Sequence, residues 1–302
     1  MIINTIKNFT WKGAATVLVA CSLFSCSSEP ADKGKETTDT TSTTETKTPK
    51  EPNLFYSVPS PIQLGQLLQK AGAAYDKKML NSLDNVGSYS TATSKALNLG
   101  VYGADLSYSA VFNQTQETMS YLNNSKKLAE ELGITSSFST EMMKRMEKNE
   151  GNKDSLLQII SELFLSSNEA LKENDQSNIS VLVLAGGFIE GMYVGTQAAK
   201  TVKDNAAIYK RIAELRGSLS NLIMLVATVN DAQDADVLAD LKSIKELYGD
   251  APAAESKAMA KADTTKKTMT IGGGKSNYTL TKDQIDKITA QVATIRAKVI
   301  KP

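Results

Sequence analysis

The chain has 302 residues, of which 34 are basic, 33 acidic and none histidine, for a net charge of +1. That balance supplies no broad attraction to nucleic acid. Without histidine there is no Ser-His-Asp or Cys-His catalysis and no histidine-containing zinc site, and the only cysteines, Cys21 and Cys26, both precede the main apolar segments, leaving the rest without a thiol nucleophile or thiolate-bound metal.

The first 25 residues read as an export signal. Lys7 and Lys12 give a positive start, and Gly13 to Phe24 is an apolar run of secretory length, short for a bilayer span. It closes on Leu23-Phe24-Ser25-Cys26, which resembles the lipobox of bacterial lipoproteins. That resemblance implies cleavage before the cysteine, acylation of its thiol and a stable membrane anchor. Cys26 is the favoured acceptor because a polar tract follows it at once; Cys21, after Leu18-Val19-Ala20, is the alternative.

Residues 26–52 are rich in Thr, Ser, Lys, Asp and Glu and almost devoid of large apolar side chains, so a disordered tether is expected there. Asp39-Thr40-Thr41 resembles the O-glycosylation motif of exported Bacteroidetes proteins, and Asp263-Thr264-Thr265 repeats it, which marks Thr40 and Thr264 as possible acceptors.

Residues 53–302 are expected to form one helical domain. Pro59 and Pro61 mark a helix entry, and Ile62, Leu64, Leu67, Leu68 and Ala71 follow at helical spacing. Tyr89 to Leu132 is a long helical stretch with a break expected near Gly100 or Gly103. Thr140 is placed as the cap of a short helix, and Asp154 or Ser155 opens the next. Ile179 to Ala199, Ile208 to Val229 and Asp234 to Tyr248 continue the pattern. Thr268 to Ile271 and Tyr278 to Leu280 alternate around Gly272-Gly273-Gly274, a β-hairpin signal. Thr281 and Gln284 then form a capping box for a final helix carrying Ile285, Ile288, Val292, Ile295 and Val299. The expected fold is mainly α, a bundle of seven or eight helices with one small C-terminal hairpin.

Several motifs have ordinary explanations. Gly272-Gly273-Gly274-Lys275-Ser276 lacks the first glycine of a phosphate-binding loop, Met269 standing in its place, and a strand pattern follows instead of a helix. Asn230, Asp231, Asp234 and Asp236 lack the order of a calcium loop and suit a helix N-terminus.

The segment from Ile179 to Gly195 is more informative. Gly187, Gly191 and Gly195 fall on one helical stripe, and interior glycine costs about 1 kcal/mol against alanine. Close approach by a second helix is the expected compensation. Glu190 interrupts the apolar run, which argues for a core helix and against a membrane span. Its expected partner is Ala96 to Tyr108, where Leu97, Leu99, Asp105 and Tyr108 repeat the spacing of Leu182, Leu184, Glu190 and Tyr193. Duplication and chance both account for that repeat.

Asp105 and Glu190, each set among apolar and small residues, are the acids most exposed to desolvation. They could face one cavity and hold a cation or polar ligand, with Tyr102, Tyr108 and Tyr193 adding hydroxyls. Alternatively, each is paired with Tyr, Lys95 or a helix amide and sets packing register.

The phrases KALNLGVYGADLSY, GGFIEGMYVGT, DLKSIKELY and ITAQVATIRAKVI resemble a family of helical Bacteroidetes lipoproteins to which no activity is assigned. The resemblance implies export and a helical fold, and adds no mechanism. The expected role is a non-enzymatic module anchored in the cell envelope, at the periplasmic face of the outer membrane, serving an envelope protein partner and using neither cofactor nor nucleic acid. The alternative is a small-ligand or cation-binding lipoprotein of an uptake system.

Overall fold

The computed structural model describes residues 60–174, 176–229, 234–249 and 278–301, all within one compact unit, Lys50–Pro302. Cys21, Cys26, Thr40, Thr264 and the first hairpin strand lie outside the described residues.

Among the described residues are nine α-helices: α1 Pro61–Lys70, α2 Ala92–Val111, α3 Thr115–Glu131, α4 Thr140–Lys148, α5 Lys153–Glu173, α6 Ser177–Ala199, α7 Ala206–Val229, α8 Ala235–Tyr248 and α9 Lys282–Val299. Two 3-10 turns, Lys77–Met79 and Leu83–Gly87, join α1 to α2. The mainly α class holds. No strand occurs among the described residues, and Tyr278 to Leu280 are irregular.

Helix starts follow local chemistry. The Ser60 hydroxyl accepts from the Ile62 amide, with Pro61 at the first helical position. Thr91 with Ser94, and Thr281 with Gln284, close reciprocal capping boxes on α2 and α9. Three expected ends move. Ser139, one residue before Thr140, caps α4 by accepting from the Met142 amide at 3.3 Å. Asn152 caps α5, its Oδ1 accepting from the Ser155 amide at 3.1 Å. Asp234 stands at the N-cap of α8 without a side-chain capping bond and accepts instead from the Thr93 hydroxyl at 3.2 Å.

The break in the long stretch also falls elsewhere. It lies between α2 and α3, where Asn113 takes a left-handed φ of 62°. Gly100 and Gly103 sit inside α2 because packing requires them. A Cβ on Gly100 would run into the Val183 carbonyl, and one on Gly103 would sit 2.6 Å from Phe164. A Cβ on Gly186 would meet the Leu97 carbonyl in the same way. The α2–α6 approach expected from the glycines is therefore present, but Gly186 and Gly100 make it. Gly187 faces Gly100 less closely, while Gly191 and Gly195 face the Leu64 side chain of α1.

Around that tight pair, α3 packs on α2, α1 lies across both, α5 covers another flank, and α7 and α9 complete the surroundings of α6. The helix α6 is long and apolar enough to cross a membrane by composition alone. Here its apolar surface is spent inside the bundle, with Ile189, Met192, Ala198 and Ala199 at most 1% exposed.

Candidate functional site

Two features are built around α2 and α6: a buried ionic cluster and an apolar cavity. They are separate.

The cluster brings Asp105 and Glu190 together, both fully buried. Its third member is Arg296 of α9. Arg296 Nε donates to Glu190 Oε2 and Nη2 to Glu190 Oε1, each at 2.9 Å, and Nη2 also donates to the Met79 carbonyl at 3.0 Å. The guanidinium carbon lies 4.4 Å from the centre of the Tyr193 ring, a cation–π contact. Burial by itself would lower the Arg296 pKa; the Glu190 carboxylate more than reverses this and holds the cation.

Asp105 has a different environment. Its Oδ2 accepts from the Asn81 amide at 3.0 Å, whereas Oδ1 is buried without a donor. Burial first, and the neighbouring Glu190 charge second, push its carboxyl well above the usual range. The neutral form of Asp105 would leave one anion facing one cation. The arrangement is an ion pair with a second buried acid beside it.

Polar groups around the cluster tie it to the 3-10 segment and the end of α9. Tyr121 donates to the Asn81 carbonyl at 2.9 Å and Tyr102 to the Ser82 carbonyl at 2.8 Å. The Asn81 side-chain Nδ2 donates to the Tyr89 hydroxyl and to Asn98 Oδ1, and Asn98 Nδ2 donates to the Val299 carbonyl at 2.9 Å. Burial raises the Tyr102 and Tyr121 pKa values far beyond neutrality, so both remain donors.

The tyrosines expected beside the acids divide. Tyr193 supplies its ring to Arg296. Tyr102 bonds the Ser82 carbonyl, and Tyr108 donates to the Ala74 carbonyl while accepting from the Asp76 amide. None of these bonds reaches an acid. Lys95 pairs with Glu131 at 3.0 Å. Asp105 and Glu190 are each enclosed, and neither lines the cavity.

The cavity has a volume of about 340 Å³ and lies between α2, α5 and α6. Leu99 and Leu106 of α2, Phe164 and Leu171 of α5, and Leu184 and Phe188 of α6 form much of its wall. Leu99 and Leu184, which share one position in the internal repeat, both face it. Among the described residues no acidic or basic side chain lines it. Ser60 lies at the wall where α1 begins, and Ser125 reaches it from α3. Its size and apolar character are those of small-molecule pockets.

Arg296 escapes the sequence reading, although a signal exists. It follows Val292 by one helical turn on the inner face of α9, where a lone cation among apolar residues needs a partner. Asn98, between Leu97 and Leu99, is a weaker signal of the same kind. Nothing local marks Ser125 as a cavity residue, because that position depends on how α3 and α5 meet α2.

Comparison with protein-family models, curated proteins and solved structures yields no match to any of them.

Proposed function

We propose that this chain is a lipid-anchored envelope protein whose helical domain binds a small, mainly apolar molecule. The observation carrying this reading is the cavity of about 340 Å³ between α2, α5 and α6, with no charged side chain among the described residues of its wall. Anchoring through Cys26 rests on the lipobox-like Leu23-Phe24-Ser25-Cys26. A protein-interaction module would be favoured by a contiguous apolar patch. Among the described residues the exposed large hydrophobics are Leu165 and Met224, and Leu165 borders the cavity. The geometry thus gives more support to ligand binding than to partner docking. A cation is a poor occupant of such a wall, since Asp105 and Glu190 lie elsewhere.

The test is titration of the full chain, with Cys21→Ala and Cys26→Ala to remove acylation, against the neutral fluorophore N-phenylnaphthylamine. Saturable binding is expected in the unsubstituted cavity. Leu184→Trp, which fills the space from α6, should abolish it while the fold persists. Binding that is absent, or indifferent to Leu184→Trp with the fold intact, would refute the assignment.

A further inference from the structure

Gly103 of α2 and Phe164 of α5 meet in the wall of the cavity, and both line it. A Cβ built on Gly103 would lie 2.6 Å from Cε1 and 2.8 Å from Cζ of the Phe164 ring, too close for the ring to stay where it is. The three nearest atoms to that position all belong to the ring. Gly103 therefore differs from Gly100, where the added carbon would meet the Val183 carbonyl. Backbone of a packed helix cannot step aside, but the far end of a phenylalanine can turn about its side-chain bonds. The missing side chain at Gly103 is what lets the ring lie against α2.

We infer that Gly103 sets the size limit of the cavity's ligand by keeping the Phe164 ring out of the space that the ligand occupies. This rests on the cavity being the binding site and adds the residue that selects among apolar molecules by size. Displaced from α2, the half-buried ring has two ways to go. Outward rotation would put apolar carbon into water, whereas inward rotation keeps it among the Leu and Phe side chains of the wall. The inward course is favoured, since it also fills open space. An apolar cavity of about 150 Å³ is enough to hold one benzene. A ring taken into a space of about 340 Å³ thus leaves room for a single-ring molecule and not for a three-ring one.

The experiment uses the full chain carrying Cys21→Ala and Cys26→Ala, titrated with N-phenylnaphthylamine by fluorescence and with fluorobenzene by fluorine NMR. Gly103→Ala should weaken N-phenylnaphthylamine by about tenfold or more, because the ring and the fluorophore cannot share the space. Fluorobenzene binding should be little changed. Adding Phe164→Leu, which removes the ring, should restore the fluorophore to the parent affinity. Gly217→Ala makes the same exchange inside α7, outside the cavity wall, and should alter neither ligand. Unchanged fluorophore binding in Gly103→Ala would show that the ring swings outward and would overturn the inference. Equal loss of both ligands, or no recovery on adding Phe164→Leu, would overturn it too. Loss of cooperative melting in Gly103→Ala would show that the ring cannot move, with the same consequence. Failure of the parent to bind the fluorophore would instead remove the proposed function beneath it.

Discussion

Arg296 and Glu190 meet edge to edge, with two parallel hydrogen bonds of 2.9 Å, although 106 residues separate them in the chain. Their side chains are 10% and 0% exposed, so the pair fastens the last helix to the central one in the absence of water. Such a pair need not add net stability over an apolar replacement, but its halves cannot be separated cheaply.

Arg296→Ala should therefore lower the unfolding free energy by about 3–5 kcal/mol, because Glu190 is left buried without its cation. The double variant Glu190→Leu with Arg296→Met should recover much of that loss. Urea denaturation of the two variants and the parent measures both effects, and equal losses would show that the pair is not coupled.

Asp105 predicts an unusual pH dependence. Its folded pKa is raised, first by burial and then by Glu190, from an ordinary value of 3.8. Above that value the native state retains a proton that the unfolded chain has released, so stability falls as pH rises towards the folded pKa. The stabilisation is fully present below the ordinary value. Asp105→Asn removes the titration at nearly constant volume. Its stability relative to the parent should thus rise with pH, by up to about 1.4 kcal/mol per unit across the titrating window. Denaturation series from pH 4 upward decide the sign. Glu162, whose pKa Arg145 lowers, would give the opposite slope.

The glycines of α2 and α6 divide by location. Gly100→Ala and Gly186→Ala place a methyl against backbone of the facing helix and should each cost about 3 kcal/mol or more. Gly217→Ala, inside α7 with nothing within 4 Å of the added carbon, should instead stabilise by about 0.5–1 kcal/mol. Thermal melting of the three variants tests the contrast directly.

For the anchor, Cys26→Ala should release the protein from the membrane fraction and abolish incorporation of labelled palmitate, whereas Cys21→Ala should retain both. The opposite pattern would move the acceptor to Cys21.

Much of the fold is legible in the residues because helix formation is local. Thr281 with Gln284, Pro61 after Ser60, and the spacing of Ile285, Ile288, Val292 and Ile295 each operate within one or two turns. The pairing of α2 with α6 is also legible, since two apolar helices containing interior glycines need a close neighbour to offset the cost of those glycines. The same reasoning misplaced the break near Gly100. A glycine required for close packing and one that ends a helix are the same letter, and Asn113 in its left-handed turn carries no comparable signal.

By itself, then, the sequence determined helical elements, the capping box of α9, a central α2–α6 pair and the desolvation of Asp105 and Glu190, all consequences of side-chain character over short spans. Only the tertiary structure decided that Arg296 would meet Glu190 and leave Asp105 Oδ1 without a donor, and that the open space would form on the other flank, beside Phe164. Both depend on which helix faces lie against one another, and that is set by packing between segments up to 106 residues apart rather than by any local run of residues.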